Sequence, residues 1–532
     1  MISYDVVIVG AGIAGCAIAH ALATVPHPSS RPLEIALLER SMAEPDRIVG
    51  ELLQPGGMQA LKELGLEDTV DEIGAIPVHG YAVLNAGRTV HIPYPDGAEG
   101  RSFHHGRFIM RLRSAAAKHS NVHAIEAVVS DLVTEANTGR ITGVKARRKG
   151  VDEEETFSAG LTIIADGCFS KFRSRVLAPG APKPDTRSHF VGAVLTDARL
   201  PIPQHGTVAL TSNGPVLLYQ IEEHDTRMLV DVKGATLPKD LASYIRQNVI
   251  PELPPALRAP VEAAISTTRL RSMPNSFLPP SQQGRTSHPA GVLLIGDSWN
   301  MRHPLTGGGM TVAFSDVVIL RRLLKEHLES REGMEKEDIW GDWDAIAGLL
   351  RKWHWERKGL ASTVNILSVA LYDLFGANDA NLHVLRTGCF KYFERGGECI
   401  NGPVSLLSAL ARSPSLLMYH FFSVAFYAIW VMFTHPRPAS EAYLDEEGSE
   451  ARSTTPSDSG VDVEIDSSSQ LRKRVGVSSA EGTSSEVATR IDSEGRKPTL
   501  AEYPALVVKS FVVFWTACVV FGPLLWSEIR WW

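Results

Sequence analysis

Three glycines and one carboxylate near the start of the chain have the types and spacing needed to hold a nucleotide. Gly10, Gly12 and Gly15 close the run Tyr4-Asp-Val-Val-Ile-Val-Gly-Ala-Gly-Ile-Ala-Gly, and Glu39 lies near the end of the next apolar run, LEIALLER. The pattern reads as a buried strand, a tight turn and a helix N-terminus, followed by a second strand that ends on an acid. Gly10 permits the turn, Gly12 admits a pyrophosphate close to the backbone, and Gly15 lets the helix pack on the strand. Free N–H groups and the positive end of the helix dipole face the phosphates. Glu39 accepts hydrogen bonds from an adenosine ribose and repels a 2′-phosphate. The gap to Glu39 exceeds the usual spacing of about 20 residues, and the Pro-rich stretch Pro26–Pro32 reads as the loop insertion responsible. An adenine dinucleotide site is the expectation.

Two later segments bear on which dinucleotide it is. Leu161-Thr-Ile-Ile-Ala-Asp166-Gly167-Cys-Phe-Ser-Lys-Phe-Arg173 is an apolar strand that exits through Asp-Gly into a basic stretch. Gly291-Val-Leu-Leu-Ile-Gly-Asp297-Ser is another, followed by Pro304-Leu-Thr-Gly307-Gly308-Gly-Met310 and an apolar run over Thr311–Leu324 that reads as helix. A strand-end carboxylate at Asp297 is placed to hold a ribityl hydroxyl. A helix starting near Gly308 aims its N-terminus at the ring edge that gains negative charge when a flavin is reduced. Successive glycines beside a buried strand weaken packing, so a close backbone approach is the reading of that segment.

In this order, GAGIAG, Glu39-Arg40, ADGCFSKFR and GDSWNMRHPLTGGGM resemble the flavoprotein monooxygenases of the aromatic-hydroxylase type. Four segments narrow the likeness: Asp46-Arg-Ile-Val-Gly-Glu-Leu-Leu-Gln-Pro-Gly-Gly57, Phe103–Met110, Leu270–Pro280 and the triple-glycine segment. Together they are similar to the squalene epoxidases of sterol biosynthesis, from about Tyr4 to Tyr427 and weakly again in the last apolar segment. The resemblance implies FAD as cofactor, with Ile13 and Ala14 at the pyrophosphate turn and Glu39 and Arg40 at the adenosine end. It places Arg47 and Leu52 beside the segment that crosses the flavin, and makes Arg113, Val129 and Asp166 further contacts. Asp297 falls at the ribityl chain, and Pro304, Gly307, Gly308 and Met310 near the pyrimidine edge. Gln54 and Tyr81 match the pair close to flavin and substrate, with ring orientation as their role.

The implied reaction is epoxidation of squalene with O₂ to (S)-2,3-epoxysqualene. A single GxGxxG leaves no second dinucleotide domain, so electrons are expected from NADPH through NADPH-cytochrome P450 reductase. The implied location is the endoplasmic reticulum membrane with the catalytic part facing the cytosol, and lipid droplets as a further possibility. Squalene has no polar handle, so recognition must come from apolar area and shape, roughly 25 cal/mol per Å² buried. The cofactor carries the hard step, which removes the need for a Ser-His-Asp, Cys-His or metal constellation. No metal is expected at His104-His105, because adjacent side chains point apart.

The elements that must position these residues follow from the chain's patterning. The expected fold is an α/β, Rossmann-like FAD-binding unit with a β-rich substrate domain and a C-terminal helical, membrane-associated region. FAD-binding segments are expected over 1–180 and 286–330, with the β-rich unit over 181–285, where FVGAVL, TVALTS, PVLLYQIE and RMLVDVKG are short strand-like runs. Met273–Pro280 is expected in the pocket lining. A helical region over 331–436 ends in the apolar run Leu416–Phe433, and 504–532 contains a second, Ser510–Trp526. Both are near the short end of the ~17–25 residues that span a bilayer, and Trp526, Trp531 and Trp532 resemble an interfacial belt. A C-terminal anchor in contact with membrane lipid is predicted; no amino-terminal span or secretory signal is read.

Between the two apolar runs, 437–503 is predicted to be a disordered linker. It holds 14 Asp+Glu against 8 Lys+Arg and supplies most of the formal charge of −7. The remainder is near neutral and has no basic stripe, which excludes a nucleic-acid role. Five scattered cysteines without CxxC spacing fit a reducing compartment. Two rivals remain at this stage. One is a soluble-type aromatic or polyketide FAD hydroxylase that reduces its own flavin; the other is a non-catalytic lipid-binding escort on the same fold.

Overall fold

The computed structural model describes residues 2–177, 180–234, 236–331, 336–376, 379–436 and 496–529. The expected acidic linker falls largely outside them, as do Trp531 and Trp532.

Continuous β-branched and aliphatic runs give a parallel core sheet. Ile2–Val9 is central, with Ile35–Glu39 on one side and Glu155–Ile164 on the other, all parallel. Val122–Thr134 extends the first edge and Val292–Leu294 the second, again in parallel. Ile141–Arg148 pairs antiparallel with both Val122–Thr134 and Glu155–Ile164, so these three strands form a meander. Val6, Val7, Ile8, Leu161, Ile163, Leu293 and Leu294 are wholly or almost wholly buried, as expected of a parallel sheet covered on both faces. Helices Ile13–Ala23 and Gly309–Glu329 pack against each other on this core.

A second, seven-stranded sheet runs in the order Arg271–Phe277, Asp185–Thr196, Asp225–Lys233, Gly214–Gln220, Gly206–Thr211, Gly80–Asn85, Arg88–Pro93. Four of its strands carry the runs read as β-rich. The last two come from within 1–180, so the second sheet draws on the first segment as well. Their only parallel junction in this sheet is Gly206–Thr211 with Gly80–Asn85, which sets Gly206 beside Tyr81.

C-terminal to the core, helices Lys358–Gly376, Ala380–Glu394, Pro414–Thr434 and Tyr503–Ile529 pack together. Pro414–Thr434 and Tyr503–Ile529 contain the two apolar runs, and Phe421 stacks on Phe521 at 4.3 Å between ring centroids. Lys358–Gly376 is also long and apolar enough to cross a membrane, but 72% of its apolar window is buried in the protein, against 33% and 22% for the other two. It is therefore a core helix, and the other two carry the exposed apolar surface.

Candidate active site

Where the two sheets face each other lies a cavity of about 860 Å³, at the upper end of the range of small-molecule sites. Gly10, at φ +103°, begins the turn at one end; a Cβ there would lie 2.5 Å from the Ala165 carbonyl oxygen. A Cβ on Gly15 would collide with the Gly10 carbonyl oxygen at 1.8 Å, so Gly15 is a packing glycine behind the wall. Gly12 has open space where its Cβ would be and lines the cavity with Ile13 and Ala14. Glu39 ends its strand beside them, and its Oε2 accepts from the Ala11 N–H at 2.9 Å. Arg113 lies across the turn, donating from Nε to the Ala11 carbonyl at 3.0 Å, with Nη2 3.8 Å from Glu39.

Arg40, Arg47, Leu52, Val129, Asp166, Asp297, Pro304, Gly307 and Met310 also line this cavity. Arg173 ties the two strand exits together through their backbone: its Nε donates to Ser298 O at 2.6 Å and its Nη2 to Asp297 O at 2.9 Å and Cys168 O at 3.1 Å. Asp166 Oδ2 accepts from Lys171 N at 3.1 Å, while Oδ1 is buried with no hydrogen-bond partner among the described residues. Burial pushes the Asp166 carboxyl above its usual range. An orphaned acceptor, an open glycine at a helix N-terminus and two strand-end carboxylates in one cavity fit a flavin adenine dinucleotide.

Three sequence-derived site residues stand behind the wall. Gly15 is one. Gly308 is another: a Cβ there would meet Val364 Cγ1 at 2.4 Å, so the middle glycine admits the helix Lys358–Gly376. Gly309, which starts the helix Gly309–Glu329, has open space and lines the cavity instead. The third is Gln54, fully buried, whose Nε2 donates to the Tyr81 hydroxyl and, at 2.8 Å, to Thr306 O. Its Oε1 accepts from Tyr94 Oη at 2.7 Å, and the Tyr81 and Tyr94 rings meet edge to face. Tyr81 reaches the cavity, and burial raises its phenol pKa above the usual 10. It is a neutral hydroxyl.

The opposite wall is apolar: Val208, Leu217, Leu229, Met273 and Leu305 contribute to it. His105 lies near the junction, with Nδ1 donating to Gly50 O at 2.7 Å; burial, aided by Arg47, pulls its pKa down to about 4. Its neighbour His104 turns to Asp225 at 3.0 Å and Glu222 at 3.3 Å. These three could hold a cation by geometry, yet Arg107 already pairs with Glu222 at 2.6 Å, and the group reads as a surface salt-bridge cluster. Sequence reasoning missed Tyr94, His105, Arg302 and Gly309. Arg302 and Gly309 lay inside the segment GDSWNMRHPLTGGGM, but nothing local shows which of its residues turn inward.

A profile of the squalene epoxidase family matches residues 158–443. The chain is 46% identical over 449 residues to squalene epoxidase erg1 of Aspergillus fumigatus, covering 82% of this chain and 88% of that one. It is 44% identical to squalene monooxygenase of Mus musculus, covering 81% and 72%. Among solved structures it resembles the probable FAD-dependent monooxygenase PqsL of Pseudomonas aeruginosa, with TM-score 0.55 and 18% identity over 70% of this chain and 97% of that one. Klebsiella pneumoniae HpxO, solved with FAD and uric acid, gives TM-score 0.57 and 17% identity, covering 78% and 98%. At such identities the likeness to the solved structures is one of fold.

Proposed function

The chain belongs to the squalene epoxidase family, and from this premise we propose that it is an FAD-dependent monooxygenase converting squalene to (S)-2,3-epoxysqualene in sterol biosynthesis. Squalene, O₂, NADPH and one proton give the epoxide, water and NADP⁺. The observation that carries the reading is the cavity itself, with dinucleotide-binding features on one wall and a mainly apolar surface without charged side chains, Val208, Leu217, Leu218, Leu229 and Met273 among it, on the other. A hydrocarbon without polar atoms suits such a surface, and a polar aromatic substrate does not.

Under this reading the six-stranded sheet and its glycine turn hold FAD through Gly12, Ile13, Ala14, Glu39, Arg40, Arg113 and Val129 at the adenosine and pyrophosphate end. Arg47, Leu52, Asp166, Asp297, Pro304, Gly307 and Met310 serve the flavin end. Bound FAD, once reduced, activates O₂ so that one oxygen atom reaches an alkene and the other leaves as water. The residues of this chain orient and seal. Gln54 holds the Tyr81 hydroxyl and the Thr306 carbonyl together, fixing a neutral donor next to the Pro304–Gly307 loop. The seven-stranded sheet holds the alkene by apolar contact and keeps water away.

We also infer that the reducing equivalents arrive from a separate NADPH-cytochrome P450 reductase. The exposed apolar faces of Pro414–Thr434 and Tyr503–Ile529 support contact with membrane lipid; we further propose that this membrane is the endoplasmic reticulum, with the catalytic part in the cytosol. The test is product analysis by mass spectrometry after incubating the protein with squalene, reductase, NADPH, FAD and O₂. Reductase-dependent epoxide is the expected result. NADPH consumption without reductase and without epoxide would favour a self-reducing hydroxylase, and a colourless protein without flavin a lipid-binding escort.

A further inference from the structure

The C-terminal helix Tyr503–Ile529 is apolar along most of its length, yet near its end Glu528 is only 2% exposed. The helix Lys358–Gly376 satisfies that carboxylate: Ser362 Oγ donates to Oε2 at 2.8 Å and Asn365 Nδ2 to Oε1 at 2.8 Å. Lys358 Nζ lies 3.8 Å from Oε2. Burying a charge in this way is costly unless it is fully paired, so the docked position of the helix is specified by polar groups as well as by apolar packing.

The chain of bonds continues inward. Asn365 Oδ1 accepts from Arg302 Nε at 2.8 Å. Arg302 also donates from Nη2 to Asn300 Oδ1 at 2.7 Å and from Nη1 to the Gly309 carbonyl at 3.3 Å. Arg302 and Gly309 both line the cavity, Gly309 at the first turn of the helix whose N-terminus faces it. Among the described residues every direct acceptor of Arg302 is neutral, and burial draws its pKa down to about 10. Asp316 is instead held bidentately by Arg357, through Nε and Nη2 at 2.8 and 2.7 Å. Asn365 is thus an amide between a buried cation and a buried anion. Its carbonyl must face Arg302 and its NH₂ must face Glu528, so the charges at the two ends fix its orientation.

We propose that Glu528 is a positioning residue for the flavin-binding wall, acting through Asn365 on Arg302 and the Gly309 turn, so that FAD is held fully only when the C-terminal helix is docked. The proposal rests on the FAD reading above and deepens it. The helix that presents apolar surface outward also completes the cofactor site inward.

The experiment measures the FAD dissociation constant of the full-length protein in detergent by flavin fluorescence, together with kcat and KM for detergent-solubilised squalene. E528A is expected to weaken FAD about tenfold, in line with loss of a charge-assisted hydrogen bond, and to lower kcat with KM for squalene unchanged. N365D/E528A is expected to return FAD affinity to within about threefold of wild type, because an aspartate at 365 pairs with Arg302 directly and makes Glu528 dispensable. A residue that merely supports the fold would not be rescued in this way. W515A, on the exposed face of the same helix, is expected to leave FAD affinity within twofold.

Wild-type affinity in E528A, no rescue in the double variant, or equal FAD loss in W515A would each overturn the proposal. If E528A does not fold, the double variant alone decides between rescue and refutation. A wild-type protein that binds no flavin would instead remove the FAD reading itself.

Discussion

Glu51 and Arg227 meet in the interior as a bidentate pair, Nε to Oε2 and Nη2 to Oε1, both at 2.7 Å. The two side chains are 1% and 8% exposed. Tyr219 adds its hydroxyl to Oε2 at 3.3 Å. Glu51 belongs to the loop just before Leu52 on the cofactor side of the cavity, and Arg227 to the strand Asp225–Lys233 of the seven-stranded sheet. The pair therefore clamps the two walls of the cavity to each other.

Breaking that pair on one side strands a charge that cannot reach water. E51A or R227A is expected to lower unfolding free energy by about 3–5 kcal/mol, whereas replacing both by leucine costs much less. Equilibrium denaturation in guanidinium on the three variants checks this. Equal losses in the single and double variants would show that packing, and not the stranded charge, dominates.

Glu39 and Asp297 both line the cavity, each at the exit of a strand of the six-stranded sheet. E39A and D297A are each expected to weaken FAD about ten- to hundredfold, the value of a charge-assisted hydrogen bond of ~1.5–3 kcal/mol. Flavin fluorescence during titration measures it. Full retention of flavin by both variants would mean that the dinucleotide lies elsewhere.

The Tyr81 phenol is neutral and accepts from Gln54, leaving its own proton to give. Y81F is expected to keep the fold and FAD but to lower epoxide formed per O₂ consumed, since only the orienting hydroxyl is lost. Y94F should have a milder effect of the same kind, because Gln54 Oε1 then loses its donor while its NH₂ contacts remain. Unchanged coupling in Y81F would reduce Tyr81 to a packing residue.

What could be read from the sequence was local. The glycine turn, Asp166 and Asp297 each sit at the end of a short apolar run, so a window of a dozen residues shows both the strand and its exit. The hairpin Gly80–Pro93 was also visible in principle: Val90 and Ile92 are buried between exposed Thr89, His91 and Pro93, after an Asn85-Ala-Gly87 turn. The longer context of the glycine motif drew it into the first segment. Consecutive glycines carry no side-chain phase to tell inward from outward, so the sequence does not separate Gly308, packed against Val364, from Gly309, which lines the cavity. The polar pairs left no sequence trace, since Tyr94 and Gln54 are 40 residues apart, Arg227 and Glu51 176, and Asn365 and Glu528 163. Only folding brings them together.

Three buried imidazoles make stability fall in mild acid. Burial draws His105 to about 4 and His303 and His354 to about 3, all below the unfolded value near 6.5. Between those limits the unfolded chain binds more protons than the folded one, so folding free energy is lost as pH drops below 6.5 and recovered as it rises. Each such group contributes about 1.4 kcal/mol per pH unit in that window. Denaturation midpoints across pH 7 to pH 5 should show a steep decline, and H303Q, which removes one of the three groups, should flatten it. A flat profile in the wild type would contradict the burial of these rings.

The outer faces of Pro414–Thr434 and Tyr503–Ile529 expose Phe426 at 59%, Trp430 at 59%, Phe511 at 74% and Trp515 at 68%. These large apolar side chains lie on two helices that stack through Phe426 on Phe514 at 5.4 Å, so they form one continuous patch on a packed pair. Clusters of large exposed apolar side chains on a folded surface mark contact with a partner or a bilayer. Inserting one charge into the apolar part of a bilayer costs ~2.5–3.5 kcal/mol per residue, whereas the same charge facing water costs the fold little. F511E/W515E is therefore expected to move the protein from the membrane to the soluble fraction while FAD affinity stays within twofold. Activity should fall more on squalene presented in vesicles than on squalene in detergent, because the defect lies in delivery. Flotation with liposomes separates the cases: a double variant that still floats with the vesicles would place the membrane contact on another surface.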